Sequence, residues 1–248
     1  MPANPRIIGH RGASAHAPEN TIAAFKLALE AGADGVEFDV HLTRDGVPVV
    51  IHDESLQRTG GKNLRINELT LADLEAVEVG SWFKRGDFSG ERLPTLQNVF
   101  DLFKGNDSLL YLEMKSSREE RQSLAEACCR SIKDNDLSGR VIVESFDLPA
   151  IEIVKKIDSN IRTAALFEPS LATPPLLTSR RMIEAAKATG VDEVALHHHL
   201  ATRKNIRAAL DEGFAIVVWT VDDPGWVKRA LDLGVSALIT NDPALMLS

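Results

Sequence analysis

Glu37 and Asp39 stand two residues apart in the apolar run Gly35–Leu42. Side chains alternate faces along a β-strand, so this spacing points both carboxylates the same way. Two acids on the inward face of an apolar strand repel each other unless a hard cation sits between them. Glu113 repeats the signal, because it interrupts Leu109-Leu110-Tyr111-Leu112, a run that reads as buried on both faces. Three such carboxylates suit one divalent cation, Mg²⁺ or Ca²⁺, which prefer oxygen ligands, whereas zinc would draw His or Cys. His10 and Arg11 close the first strand pattern, and Gly12-Ala13 permit a tight loop after them. Arg11 can fork onto two phosphate oxygens, and Lys115 adds a second positive charge on the face of Glu113. His10 and His52 make a pair suited to acid–base work near neutral pH. Each residue alone also fits a bland role: a solvated strand face, a structural histidine, a surface ion pair. Their convergence from independent strand ends is what points to a site.

The elements that must position them alternate. Strand patterns lie at Ile7–His10, Gly35–Leu42, Leu109–Lys115, Val141–Phe146, Arg162–Phe167, Glu193–His198, Ala215–Val221 and Ala237–Asn241. Helical patterns lie between them, among them Thr21–Ala31, Glu119–Asp134, Arg180–Thr189, Lys204–Glu212 and Trp226–Leu233, with Asn20 or Thr21 as the cap of the first. Eight strand–helix units predict an α/β fold, a closed (β/α)₈ TIM barrel, with a doubly wound sheet as the alternative. In the barrel, strand C-terminal ends form the mouth, where Trp219 also falls. Pro48–His52 breaks the alternation. Five residues separate it from the second strand, too few for a parallel crossover, so it is a hairpin turning at Asp45-Gly46. That fold-back brings His52 level with Phe38, beside Glu37 and Asp39. Residues 53–95 then form a small insertion within one domain spanning 1–248, too short for a core of its own.

Bulk properties narrow the field. The formal net charge is −8, with 28 Lys+Arg against 36 Asp+Glu, which disfavours nucleic acid and anionic lipid as partners. No apolar run is long enough for a membrane span, and the start Met1–Arg6 lacks the basic and apolar regions of a secretory signal. Cys128 and Cys129 are neighbours badly placed to bridge each other, which suits a reducing, cytoplasmic setting. His197-His198-His199 read as structural, since neighbours on a strand face opposite ways; His16 and His41 stay unassigned. Homo-oligomerisation is left open.

The ordered set of motifs resembles the glycerophosphodiester phosphodiesterase family. It comprises His10-Arg11-Gly12, Pro18-Glu19-Asn20-Thr21, Gly35-Val36-Glu37-Phe38-Asp39-Val40, Leu42-Thr43, Asp45-Gly46, His52-Asp53, Leu112-Glu113-Met114-Lys115, Ser145-Phe146, Val218-Trp219-Thr220-Val221 and Thr240-Asn241-Asp242-Pro243. The resemblance covers nearly the whole chain. It implies a barrel with one divalent ion held by Glu37, Asp39 and Glu113, and with His10 and His52 as the acid–base pair. It also implies Arg11 and Lys115 on phosphate, Trp219 facing glycerol, and Glu19 as an outer ligand or a support. The implied partner is a small glycerophosphodiester, cleaved to sn-glycerol 3-phosphate and an alcohol. A lysophospholipase D-type lipid enzyme on the same barrel is the rival; Trp82, Phe83 and Phe88 would serve it as an apolar platform. A non-catalytic phospho-ligand module is a second rival.

Overall fold

The computed structural model of the chain describes residues 4–169 and 178–248. Met1–Ala3, half of the stretch read as free of a signal, lie outside the described residues. Nine strands are described: β1 (Arg6–His10), β2 (Gly35–Leu42), β3 (Pro48–Val50), β4 (Leu109–Met114), β5 (Val141–Ser145), β6 (Arg162–Phe167), β7 (Glu193–His197), β8 (Ala215–Trp219) and β9 (Ala237–Thr240). The α-helices are α1 (Ile22–Glu30), α2 (Leu71–Leu74), α3 (Leu96–Phe103), α4 (Arg121–Asp134), α5 (Leu148–Ile157), α6 (Ser179–Thr189), α7 (Arg203–Asp211), α8 (Gly225–Leu233) and α9 (Pro243–Met246).

The strands run in the order β1-β9-β8-β7-β6-β5-β4-β2-β3, and β1 also pairs with β2. That last pairing closes eight parallel strands into the expected (β/α)₈ barrel and excludes the open doubly wound sheet. β3 is the extra strand, antiparallel to β2 with Val40 opposite Val50. Extending that register sets His52 opposite Phe38, as the Asp45-Gly46 turn predicts.

Alternation divides the core in two. Val36, Phe38 and Val40 face the helices and join the outer core with Phe25, Phe100 and Phe103. Phe25 meets Phe38 edge-on at 5.9 Å. Truncating the fully buried Phe38 to Ala would cost about 3–5 kcal/mol. Ile8, Tyr111, Ile142, Ala195, Val217 and Ile239 fill the lumen instead. Helix starts follow the capping rule: Thr21, Thr70, Thr95, Thr178 and Thr202 each accept a first-turn amide. Thr21, not Asn20, therefore caps α1.

Five of the eight expected barrel strands end one or two residues early, and the dropped residues include Lys115, Phe146 and Asn241. The ladder stops where side chains turn into the mouth. The 53–95 excursion does have an apolar cluster, Leu56, Ile66, Leu74, Val77 and Val79, but it is completed by Val49 and Ile51 of the hairpin.

Candidate active site

The β1–α1 connection shapes the first wall. Arg11 and Asn20 adopt left-handed backbone, φ 56° and 58°, a conformation that costs an ordinary side chain roughly 1–2 kcal/mol. The return is position: Arg11 N–H donates to Glu37 Oε2 at 3.1 Å, and Asn20 Nδ2 donates to Asp39 Oδ2 at 2.8 Å. Gly12 is required here, since a Cβ on it would stand 2.5 Å from the Ala24 carbonyl carbon.

Glu37, Asp39 and Glu113 are brought together as expected. One carboxylate oxygen from each lies within 4.8 Å of the other two, and all three side chains are buried. Lys115 Nζ is 2.7 Å from Glu113 Oε1 and 3.1 Å from Asp39 Oδ1; Arg11 Nε is 3.1 Å from Asp39 Oδ2. The two Asp39 contacts are ion pairs outside hydrogen-bond geometry, leaving Asp39 Oδ1 and Arg11 Nε without a hydrogen bond. Burial alone would raise the Asp39 carboxyl, yet Lys115 and Arg11 overcome it and hold the group well below the usual carboxylate range. Burial, then Asp39, pushes Glu113 up to about 8, and burial with Asp39, Glu144 and Glu113 raises Glu37 well above its ordinary value. Three crowded oxygen donors, two of them short of positive charge and one with an unbonded oxygen, fit a hard divalent cation.

The two histidines are each tied from behind. Asn241 Nδ2 donates to Asp222 Oδ2 at 2.7 Å, which fixes its amide so that Oδ1 faces His10 Nδ1 at 2.7 Å. His10 Nδ1 therefore carries the proton, and Nε2 turns its lone pair to the site, 3.8 Å from Glu37 Oε2. Burial, then the Arg11 charge, pushes the His10 pKa down to about 4, so the ring is neutral at pH 7. His52 Nδ1 lies 2.8 Å from Asp53 Oδ1, and His41 Nε2 donates to the His52 carbonyl at 3.0 Å. That contact gives the unassigned His41 a positioning part; His16 instead pairs with Asp242 at 2.9 Å.

His10, Arg11, Glu37, His52, Glu113, Lys115 and Trp219 line one cavity of about 370 Å³ at the mouth. Asp39 is fully buried and does not line it. A larger cavity, about 680 Å³, opens at the opposite end, around Arg6, Asp34 and Leu247, away from any of these groups.

Several residues around the site were not singled out from sequence. Glu144 lines the cavity, is 1% exposed and sits in register with Glu113; its Oε2 is buried without a hydrogen bond. Its signal was available, because it breaks Val141-Ile142-Val143 as Glu113 breaks its own run. Glu168 and Phe146 complete the rim, Phe146 meeting Trp219 edge-on at 5.6 Å. Arg58 holds Glu19 at 2.7 Å and Asp53 at 2.8 Å, stapling the excursion to the β1–α1 loop. Glu19 also accepts from Arg11 at 2.8 Å, so in these contacts it acts as a support. Trp82 meets Phe83 edge-on at 5.8 Å and Phe83 meets Phe88 edge-on at 5.7 Å, a half-buried aromatic cluster within the excursion. His197–His199 overturn their expected geometry. β7 ends at His197 and the chain turns, so alternation no longer applies and the three imidazoles gather with one nitrogen each within 4.8 Å.

A barrel whose mouth gathers acids, histidines and two cations in this way is the frame of a phosphoryl-handling hydrolase. The sequence model of the glycerophosphoryl diester phosphodiesterase family matches residues 10–245, and the chain belongs to that enzyme family. It is 34% identical to the glycerophosphodiester phosphodiesterase of Caldanaerobacter subterraneus, over 98% of this chain and 96% of that one. It is 31% identical to a Bacillus subtilis glycerophosphodiester phosphodiesterase, over 96% of this chain and 84% of the relative. The solved structure of an Oleispira antarctica phosphodiesterase in complex with its product sn-glycerol-3-phosphate is also similar: TM-score 0.88, 26% identity, 98% of this chain and 96% of that one.

Proposed function

We propose that this chain hydrolyses glycerophosphodiesters of small alcohols to sn-glycerol 3-phosphate and the free alcohol, within glycerol and lipid metabolism. One observation carries the reading. Two histidines, each anchored through Nδ1, border one cavity with Glu37, Glu113 and two basic side chains, and the buried Asp39 brings a carboxylate oxygen within 4.8 Å of both of those acids. Glu37, Asp39 and Glu113 would hold one divalent ion, Mg²⁺ or Ca²⁺. When bound, that ion neutralises phosphoryl charge and makes a coordinated hydroxyl more acidic. Arg11 and Lys115 bind the phosphoryl oxygens and stabilise the charge that builds on them. Neutral His10 takes at Nε2 the proton of the attacking oxygen, either water or the glycerol 2-hydroxyl, and His52 delivers one to the departing alcohol oxygen; where the 2-hydroxyl attacks, water then opens the cyclic phosphate with the two histidine roles reversed, which restores both rings. Trp219 and Phe146 cover the glycerol and exclude water from one side. The buried, unbridged Cys128 and Cys129 accord with a reducing, cytoplasmic compartment.

The test is a substrate panel with Mg²⁺: glycerophosphocholine, glycerophosphoethanolamine and lysophosphatidylcholine. Glycerol 3-phosphate from the first two is the expected result. Lysophosphatidic acid from the third alone would transfer the assignment to a lipid phosphodiesterase, and no product from any would leave a binding module.

A further inference from the structure

β7 stops at His197, and His198, His199 and Leu200 form a turn. Three consecutive imidazoles consequently gather on the turn. Ring centres are 4.2 Å apart for His197–His198, 4.2 Å for His198–His199 and 4.9 Å for His197–His199. One nitrogen from each lies within 4.8 Å of the other two. His198 Nδ1 is buried and has no hydrogen-bond partner, and His197 Nδ1 accepts a long bond, 3.3 Å, from the His199 amide. Among the described residues, carboxylates pair with His10, His16 and His52 but with none of these three rings.

We infer that His197, His198 and His199 form a second cation site, for a borderline transition ion of the Zn²⁺, Ni²⁺ or Cu²⁺ class. Imidazole nitrogen selects those ions, while Mg²⁺ and Ca²⁺ go to oxygen donors. Zn–N bonds of about 2.0–2.1 Å in a tetrahedral set place the nitrogens roughly 3.4 Å apart. The rings must therefore close inward, and exposed His199 with half-exposed His197 and His198 can turn to do so. Coordination of His197 through either nitrogen releases its bond from the His199 amide. At Nε2 the ring proton moves to Nδ1; at Nδ1 the ion replaces the bond. Three protein ligands leave a fourth position to water. The site adjoins the catalytic cavity without belonging to it: the His197 ring stands 5.1 Å from Trp219, and His198 N–H donates to the Trp219 carbonyl at 2.7 Å. A bound ion would brace the end of β7 beside the β8 residue that lines the cavity.

The test uses the full-length chain without an affinity tag, dialysed against Zn²⁺ in saturating Mg²⁺, with bound zinc counted per chain. The wild type should keep a zinc equivalent that Mg²⁺ does not displace. His199→Ala, at an exposed turn position, should lose one equivalent. Loss of a ligand's outer partner already costs about 10–100-fold in metal affinity, so removing a ligand should weaken zinc by at least about tenfold. His199→Gln, which retains bulk, should lose it equally, and circular dichroism of both metal-free variants should match the wild type. In Cu²⁺-loaded wild type, electron paramagnetic resonance should show nitrogen couplings that either variant reduces. Equal zinc content and affinity in the wild type and both folded variants would overturn the assignment, as would a wild type that retains no zinc under Mg²⁺.

Discussion

At the lower end of the barrel, Glu193 opens β7 with 1% exposure; Tyr111 Oη donates to it at 3.0 Å and the Arg162 guanidinium pairs with it. Burial still raises its pKa, but both its oxygens have partners. At the mouth, Glu37, Glu113 and Glu144 are comparably buried and lean on one another, with Asp39 drawing most of the positive charge. A buried acid alone therefore says little about function. What separates the ends is compensation: the lower acid is satisfied by the chain itself, whereas the upper cluster keeps buried carboxylate oxygens that the chain's own groups leave without a hydrogen bond, and the proposed divalent ion would supply the missing partner.

The comparison breaks most visibly at the histidines. His10→Ala and His52→Ala should each lower kcat by at least about a hundredfold, with unfolding temperatures near the wild type, because general acid–base groups contribute typically 10²–10⁴. Steady-state kinetics alongside thermal melts checks this. Asn241→Ala should cost less, about 10–100-fold in kcat with KM little changed, since it removes the group that sets the His10 tautomer and leaves the ring in place.

Two further effects separate the ends by stability. In the metal-free chain, Glu113 titrates at about 8 against an ordinary unfolded value near 4.3. Its raised value means that protonation favours the fold. That contribution is complete at low pH and is lost as pH rises through about 8. Melting temperature without metal should fall from about pH 6 to about pH 9, and saturating Mg²⁺ should flatten the fall; differential scanning calorimetry at both pH values reads it. Tyr111→Phe should destabilise by about 1–3 kcal/mol, by stripping a hydrogen bond from a buried carboxylate, while kcat stays unchanged. Loss of turnover in that variant would dissolve the distinction between the two ends.

Much of the mouth was readable from periodicity. The spacing of Glu37 and Asp39, the break at Glu113 and the hairpin register at His52 are each local arithmetic on a strand. What stayed hidden depends on where strands stop and on long-range pairing. Asn241 reaches His10 across 231 positions, and Arg58 reaches Glu19 across 39. The gathering of His197–His199 stayed hidden because alternation was extended past the last rung of β7. Glu144 carried the same signal as Glu113 and shows that one charged residue in an apolar run warrants the same reading each time it occurs.

The most direct measurement strips divalent ions from the chain with EDTA, assays glycerophosphocholine by released glycerol 3-phosphate, and then restores Mg²⁺, Ca²⁺ or Mn²⁺. Turnover should vanish and return with metal in the wild type, and Glu37→Gln should bind the restored ion weakly and recover little of it. Full turnover in EDTA, or a Glu37→Gln variant that is rescued like the wild type, would contradict the carboxylate cluster as the cation's seat.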